Sequence, residues 1–184
     1  VPLLLISRNE QRLMELREKI APFSSVLPRI FTTTQPIPWN EIDLILTCAT
    51  TSASPVPLEQ CAPGTVVLDV GQPPNIPQRL SEKHPHILVL QGGEVLWPAP
   101  ISSSFRLPLP DGHLYGCLAE TLLLALEEWE TDFALGKDWN GKKLEKLREW
   151  VRKHQVHPAP FLSYSRKVTQ EDWEYFVKNK KRRD

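Results

Sequence analysis

Short apolar runs, each closed by a polar or glycine-bearing loop, set what this chain can fold into. Residues 3–6, 43–49, 66–70 and 87–90 are mostly Leu, Ile and Val. They give way in turn to Ser7-Arg8-Asn9, to residues 50–54, to Gly71-Gln72-Pro73-Pro74 and to Gln91-Gly92-Gly93. Near-continuous apolar strands of this length suit a parallel sheet covered on both faces. In such sheets ligands bind beyond the carboxyl ends of the strands, where these loops lie.

Helical signals stand between and after the runs. Leu13, Leu16 and Ile20 repeat at helical spacing, Asn9 is placed to cap that helix, and Pro22 stops it. Residues 24–40 read as a Pro- and Thr-rich connection holding one short strand, and 58–62 as a single helical turn. From Asp111 the character changes. Helices are expected at 117–130, with Leu118, Leu122, Ala125 and Trp129 in one stripe, at 142–154, and at 170–178 behind a Thr169 cap. The pattern predicts an α/β fold: an incomplete Rossmann-like parallel sheet with flanking helices and a helical C-terminal extension. Residues 1–110 form a partial dinucleotide-binding domain, and 111–184 a helical part carrying Cys117.

The sheet is called incomplete because no GxGxxG motif occurs anywhere. The pyrophosphate cradle needs that loop between a first strand and a first helix. The run at 3–6 therefore reads as the second strand, with the missing element expected before Val1. Residues 1–6 lack the basic region and cleavage site of a signal peptide, and no run approaches the roughly 20 residues of a spanning helix. Lys plus Arg and Asp plus Glu both number 22, so the chain shows no electrostatic footprint for nucleic acid or an anionic membrane. The basic run Lys178, Lys180, Lys181, Arg182, Arg183 reads as a solvated helix end. Three cysteines with no CxxC spacing fit a reducing, cytoplasmic setting, and no metal-ligand spacing appears.

Three sets of residues could carry chemistry. Ser7, Arg8 and Asn9 end the run read as the second strand, where an arginine accommodates the 2′-phosphate of NADP; an arginine that merely starts a helix is the alternative. Cys117 opens the strongest helix, and helix N-termini favour a thiolate, the nucleophilic form. Attack on a thioester would give an acyl-enzyme, which hydride attack would release as an aldehyde. A cysteine that only packs is the alternative. His113, four residues earlier, is a candidate base of unknown direction. Cys48 and Cys61 read as packing residues. The loops holding Ala49, Thr50 and Gly71 follow strands and could line a cofactor crevice, or be ordinary turns.

Several segments resemble the cyanobacterial long-chain acyl-[acyl-carrier-protein] reductases and their wider family of predicted dehydrogenases. They are Leu4-Leu5-Ile6-Ser7-Arg8-Asn9-Glu10-Gln11-Arg12-Leu13, Val67-Leu68-Asp69-Val70-Gly71-Gln72-Pro73-Pro74-Asn75, Val89-Leu90-Gln91-Gly92-Gly93 and, most specifically, Gly116-Cys117-Leu118-Ala119-Glu120 with Thr131-Asp132-Phe133 and Gly136-Lys137 after it. The resemblance runs from Leu3 to about His154; beyond Phe161 it is to the wider family. It implies NADPH as cofactor, Cys117 as the acyl-accepting nucleophile, Arg8 as a 2′-phosphate contact, and an acyl thioester of acyl-carrier protein or coenzyme A as substrate. With the glycine-rich loop absent, three readings stand. They are a reductase or fragment of one, another NADP-linked dehydrogenase in which Cys117 is structural, and a truncated, non-catalytic module whose open sheet pairs with a partner chain.

Overall fold

The structure, a computed structural model, describes residues 2–49, 55–101, 107–134, 141–164 and 166–179. The chain divides into two compact units, Val1–Ile42 and Asp43–Asp184.

The first unit is one βαβ turn. Strand β1 (Leu4–Ser7) runs parallel to β2 (Arg29–Thr32), with Leu4 opposite Arg29 and Ser7 opposite Thr32. Helix α1 (Glu10–Ile20) lies between them in sequence. Asn9 caps it as expected, its side-chain oxygen accepting the Arg12 N–H at 3.0 Å. Leu13 is the buried residue of α1, and Pro22 sits in the tight turn Ala21–Phe23 that ends it. Contrary to the expectation of a strand covered on both faces, β1 is only half-buried throughout.

In the second unit β3 (Leu44–Thr47), β4 (Val66–Asp69) and β5 (Leu88–Gln91) form a parallel sheet in strand order. Leu44, Val66 and Leu88 are aligned across it. The connections carry a helical turn at Leu58–Gln60 before β4 and the short helix α2 (Gln78–Ser81) before β5. A hairpin follows, β6 (Glu94–Leu96) with β7 (His113–Tyr115), leading directly into α3 (Gly116–Leu126). Helix α4 (Gly141–Lys153) comes next. Strand β8 (His157–Pro158) then pairs with the other side of β6. Strands β9 (Leu162–Ser163) and β10 (Arg166–Lys167) extend the parallel sheet antiparallel past β5, before α5 (Gln170–Asn179). This is a mixed α/β, incomplete Rossmann-like fold, with parallel strands flanked by helices.

Among the described residues, two apolar clusters stand out in this unit. Leu123, Phe133, Trp150 and Val156 are buried together, joining α3 to α4. Leu88, Leu90 and Val168 form the other, with Trp173 and Phe176 of α5 packed against them. Each fully buried side chain of this kind contributes about 1.5–3 kcal/mol.

The C-terminal part is less purely helical than its periodicity predicts. Strands β7 to β10 are too short to leave a period-2 signal. Helix α3 ends at Leu126, short of the expected 130, because Glu128 takes a left-handed backbone (φ 52°). Strand β3 also departs from expectation. Ile45 and Thr47 are buried, but Leu44 and Leu46 are 64% and 62% exposed. It is an edge strand of this sheet.

Thr169 caps α5 reciprocally: its hydroxyl accepts the Asp172 N–H at 3.2 Å, and Asp172 Oδ2 accepts the Thr169 N–H at 2.8 Å. The Arg166 guanidinium at 2.7 Å, then the Thr169 N–H, lower the Asp172 carboxyl from 3.8 to about 2. A carboxyl depressed by folding adds stability above its unfolded value, which is lost as pH falls through the folded one. Amide exchange in the first turn of α5 is therefore expected to accelerate, relative to α3, as pH drops from 3.8 to about 2. Arg166→Ala should shift that onset upward; an onset unmoved by the variant would remove Arg166 as its cause.

Candidate functional site

Buried polar side chains fix the turn after β4 and tie it to the end of β3. Asp69, 4% exposed at the end of β4, accepts the Gly71 N–H with one oxygen (3.0 Å) and the Ile76 N–H with the other (2.8 Å). That clamps residues 71–76 into a closed turn. Asn75, 1% exposed, accepts from the Thr47 hydroxyl at 3.0 Å and donates to the Ala49 carbonyl at 2.7 Å, tying this turn to the end of β3. Gly71 has to be glycine, since a Cβ there would stand 2.6 Å from Asn75 Oδ1. Tyr164 adds a tie from the C-terminal hairpin, its hydroxyl donating to the Ile76 carbonyl at 2.9 Å. Burial, more than anything else, pushes that phenol up to about 12.

After β5 the chain turns at Gly92-Gly93 into β6. Register places Glu94 opposite Tyr115 and Leu96 opposite His113, so these four share one face of the hairpin. The Gly116 N–H continues the ladder to the Gly93 carbonyl at 2.7 Å and begins α3 there. Cys117 is consequently in the first turn of α3, and its thiol is exposed. On the hairpin, His113 Nδ1 meets Glu94 Oε2 at 3.1 Å, with side chains 9% and 6% exposed. Burial first, then charge at Glu94 and at Cys117, raises the Tyr115 phenol above its ordinary value, keeping it a neutral hydrogen-bond donor.

A cavity of about 250 Å³ opens here, at the carboxyl ends of β4 and β5. Gln72, Pro74, Gln91, Glu94, Tyr115 and Leu162 line it, with residues 108–110 closing one side. A larger cleft of about 510 Å³ lies among α2, β5, β10 and α5, its lining including Ser81, Ser163, Tyr164 and the Arg166–Asp172 pair. Among the described residues no group of three His, Cys, Asp or Glu is arranged to hold a metal. No described helix is long and apolar enough to cross a membrane.

The residues singled out from sequence fall as follows. In the first unit Arg8 is exposed just after β1 and beside the start of α1. A cation there, with helix N–H groups adjacent, fits a phosphate monoester. The Ser7 hydroxyl accepts the Asn9 N–H at 3.4 Å, and the Asn9 side-chain oxygen is engaged in capping, which leaves its amide N–H groups for a ligand. In the second unit Ala49 and Gly71 are engaged within the locked turn. Thr50 and the loop 50–54 lie outside the described residues, as do Gly136-Lys137 and the basic residues 180–183. Cys48 is exposed, not packed, because β3 ends one residue before it. Cys61 is buried, its thiol pushed up to about 11 by burial and then by Glu59. Sequence reasoning missed Glu94, Tyr115, Asp69 and Asn75. At three residues a strand, the hairpin that sets Glu94 opposite Tyr115 left no usable period-2 signal.

Comparison with known proteins gives distant relations. The chain is 28% identical over 172 residues to the long-chain acyl-[acyl-carrier-protein] reductase of Synechococcus elongatus, covering 85% of this chain and 45% of that protein. It is 27% identical over 127 residues to aminotransferase PigE of a Serratia species, covering 67% of this chain and 15% of that protein. No family model matches it. The chain spans less than half the length of these curated relatives, and what they share with it is a distant relation, one of them a reductase.

Proposed function

We propose that this chain contributes the nucleophile and part of the cofactor site to an NADPH-dependent, cytoplasmic reductase of acyl thioesters. The observation that carries this is the exposed Cys117 at the start of α3, two residues after Tyr115, which lines a cavity at the carboxyl ends of β4 and β5. The distant acyl-[acyl-carrier-protein] reductase supports it. Residues 1–110 would serve the cofactor and 111–184 would bring the nucleophile. Cys117 sulfur attacks the carbonyl carbon of a thioester of acyl-carrier protein or coenzyme A, and the substrate's own thiol departs. NADPH, when bound, would supply the hydride that releases the acyl group as an aldehyde. Arg8, with Ser7 and Asn9, would hold the 2′-phosphate, and Ala49, Thr50 and Gly71 would border the dinucleotide.

Intact-mass measurement after mixing the chain with a long-chain acyl thioester tests this. An acyl-sized gain is expected, absent in Cys117→Ala. No gain while Cys117 still alkylates would move the assignment to another NADP-linked dehydrogenase with a structural cysteine. A second reading, a non-catalytic module that pairs with another chain, is favoured by Leu44 and Leu46 exposed on edge strand β3. Oligomer size that rises with concentration would support it.

A further inference from the structure

We propose that the cavity beside the β6–β7 hairpin is a binding site for an uncharged amide group, whose N–H meets the Glu94 carboxyl and whose carbonyl meets the Tyr115 hydroxyl. Antiparallel register sets Glu94 directly opposite Tyr115, so the two side chains stand next to each other on one face of the hairpin, and both line the cavity. The Glu94 side chain is 6% exposed, and its Oε2 meets His113 Nδ1 at 3.1 Å. Its other oxygen, Oε1, has no hydrogen-bond partner among the described residues, and neither has the Tyr115 hydroxyl. No described side-chain polar atom is both sealed from solvent and unpaired, so Oε1 keeps an opening. The cavity that Glu94 lines provides it. A carboxyl group stripped of most of its water, with one oxygen unmet, carries a cost that a donor in the cavity would offset.

Charge and size narrow the occupant. A carboxylate ligand would offer Glu94 no donor and would face its charge. An ammonium would offer the Tyr115 O–H no acceptor. An amide is donor and acceptor at once. Gln72 and Gln91 bring side chains of the same dual kind to the lining, and Pro74, Leu109 and Leu162 supply apolar walls. At about 250 Å³ the cavity falls below the roughly 300 Å³ at which sites for whole drug-sized ligands begin. It admits an amide-bearing head group, not an entire dinucleotide or carrier arm. The site itself does not depend on Cys117. Only the source of the amide rests on the reductase reading above, which supplies two: the primary amide on a nicotinamide ring, and the secondary amides of the pantetheine arm that carries an acyl thioester.

The test is an NMR titration of the full, isotope-labelled chain. Its probes are nicotinamide, nicotinate and nicotinylamine, which share one ring and differ in charge, and pantetheine under reductant. Nicotinamide or pantetheine is expected to shift the backbone amides of Glu94 and Tyr115, with nicotinate and nicotinylamine binding at least about 5-fold more weakly. Whichever of the two amides binds tighter names the source. Tyr115→Phe, which removes the O–H and little else, should weaken the amide about 5-fold. Glu94→Gln should abolish the preference for amide over carboxylate. Nicotinate bound as well as both amides, or an amide affinity unchanged in Tyr115→Phe, would overturn the inference. Should Glu94→Gln fail to fold, the parent's choice between amide and carboxylate, with Tyr115→Phe, decides alone. Acylation of Cys117, read by intact mass on the same preparation, is a separate result. Amide binding without acylation removes the thioester reading and leaves the site; acylation without amide binding does the reverse.

Discussion

Trp150→Ala is expected to destabilise the Asp43–Asp184 unit by about 3–5 kcal/mol. Trp150 is 3% exposed and lies in the core where α3 meets α4. Its ring stands 5.5 Å from that of Trp129 and 5.3 Å from that of Phe133. Truncation removes the buried surface and both ring contacts, and leaves a cavity that Leu123 and Val156 can fill only in part. Total stabilities of single domains run about 5–15 kcal/mol, so the loss takes a large share. In urea the midpoint should fall with the slope unchanged, and Trp150→Phe should recover much of it. A midpoint shift worth less than about 1 kcal/mol would mean that α3 and α4 do not share a core.

Asp69→Asn, nearly isosteric, is expected to cost about 2–3 kcal/mol, because a buried donor is left without an acceptor. Both Asp69 oxygens accept backbone N–H groups, from Gly71 and Ile76. An amide has one acceptor and must turn its NH₂ toward the other N–H. The turn at 71–76 would open, releasing Asn75 from Thr47 and Ala49. Faster amide exchange at Gly71 and Ile76, beyond the global change in stability, is the signature to measure. Asp69→Asn as stable as the parent would show that the turn holds without its clamp.

Why some of this was legible in the sequence follows from the range of the interactions. The runs that became β4 and β5 are buried by a local pattern, and Asn9 and Thr169 cap helices within their own neighbourhoods. Cys117 was placed at a helix start because apolar periodicity begins one residue away. What escaped is contact across distance. Glu94 and His113 are 19 residues apart, Tyr164 and Ile76 88. No local composition encodes which buried carboxyl faces which ring. Strand β3 misled for a related reason: its leucines carry the pattern of a covered strand, and only the sheet's order shows it to be an edge.

The bond from the Gly116 N–H to the Gly93 carbonyl has a mechanical consequence. One backbone contact both closes the β6–β7 ladder and starts α3, so hairpin and helix share one anchor point. Tyr115, which lines the cavity, and Cys117 stand on either side of Gly116, so a shift of the hairpin that re-aims the Tyr115 wall re-aims the start of the helix with it.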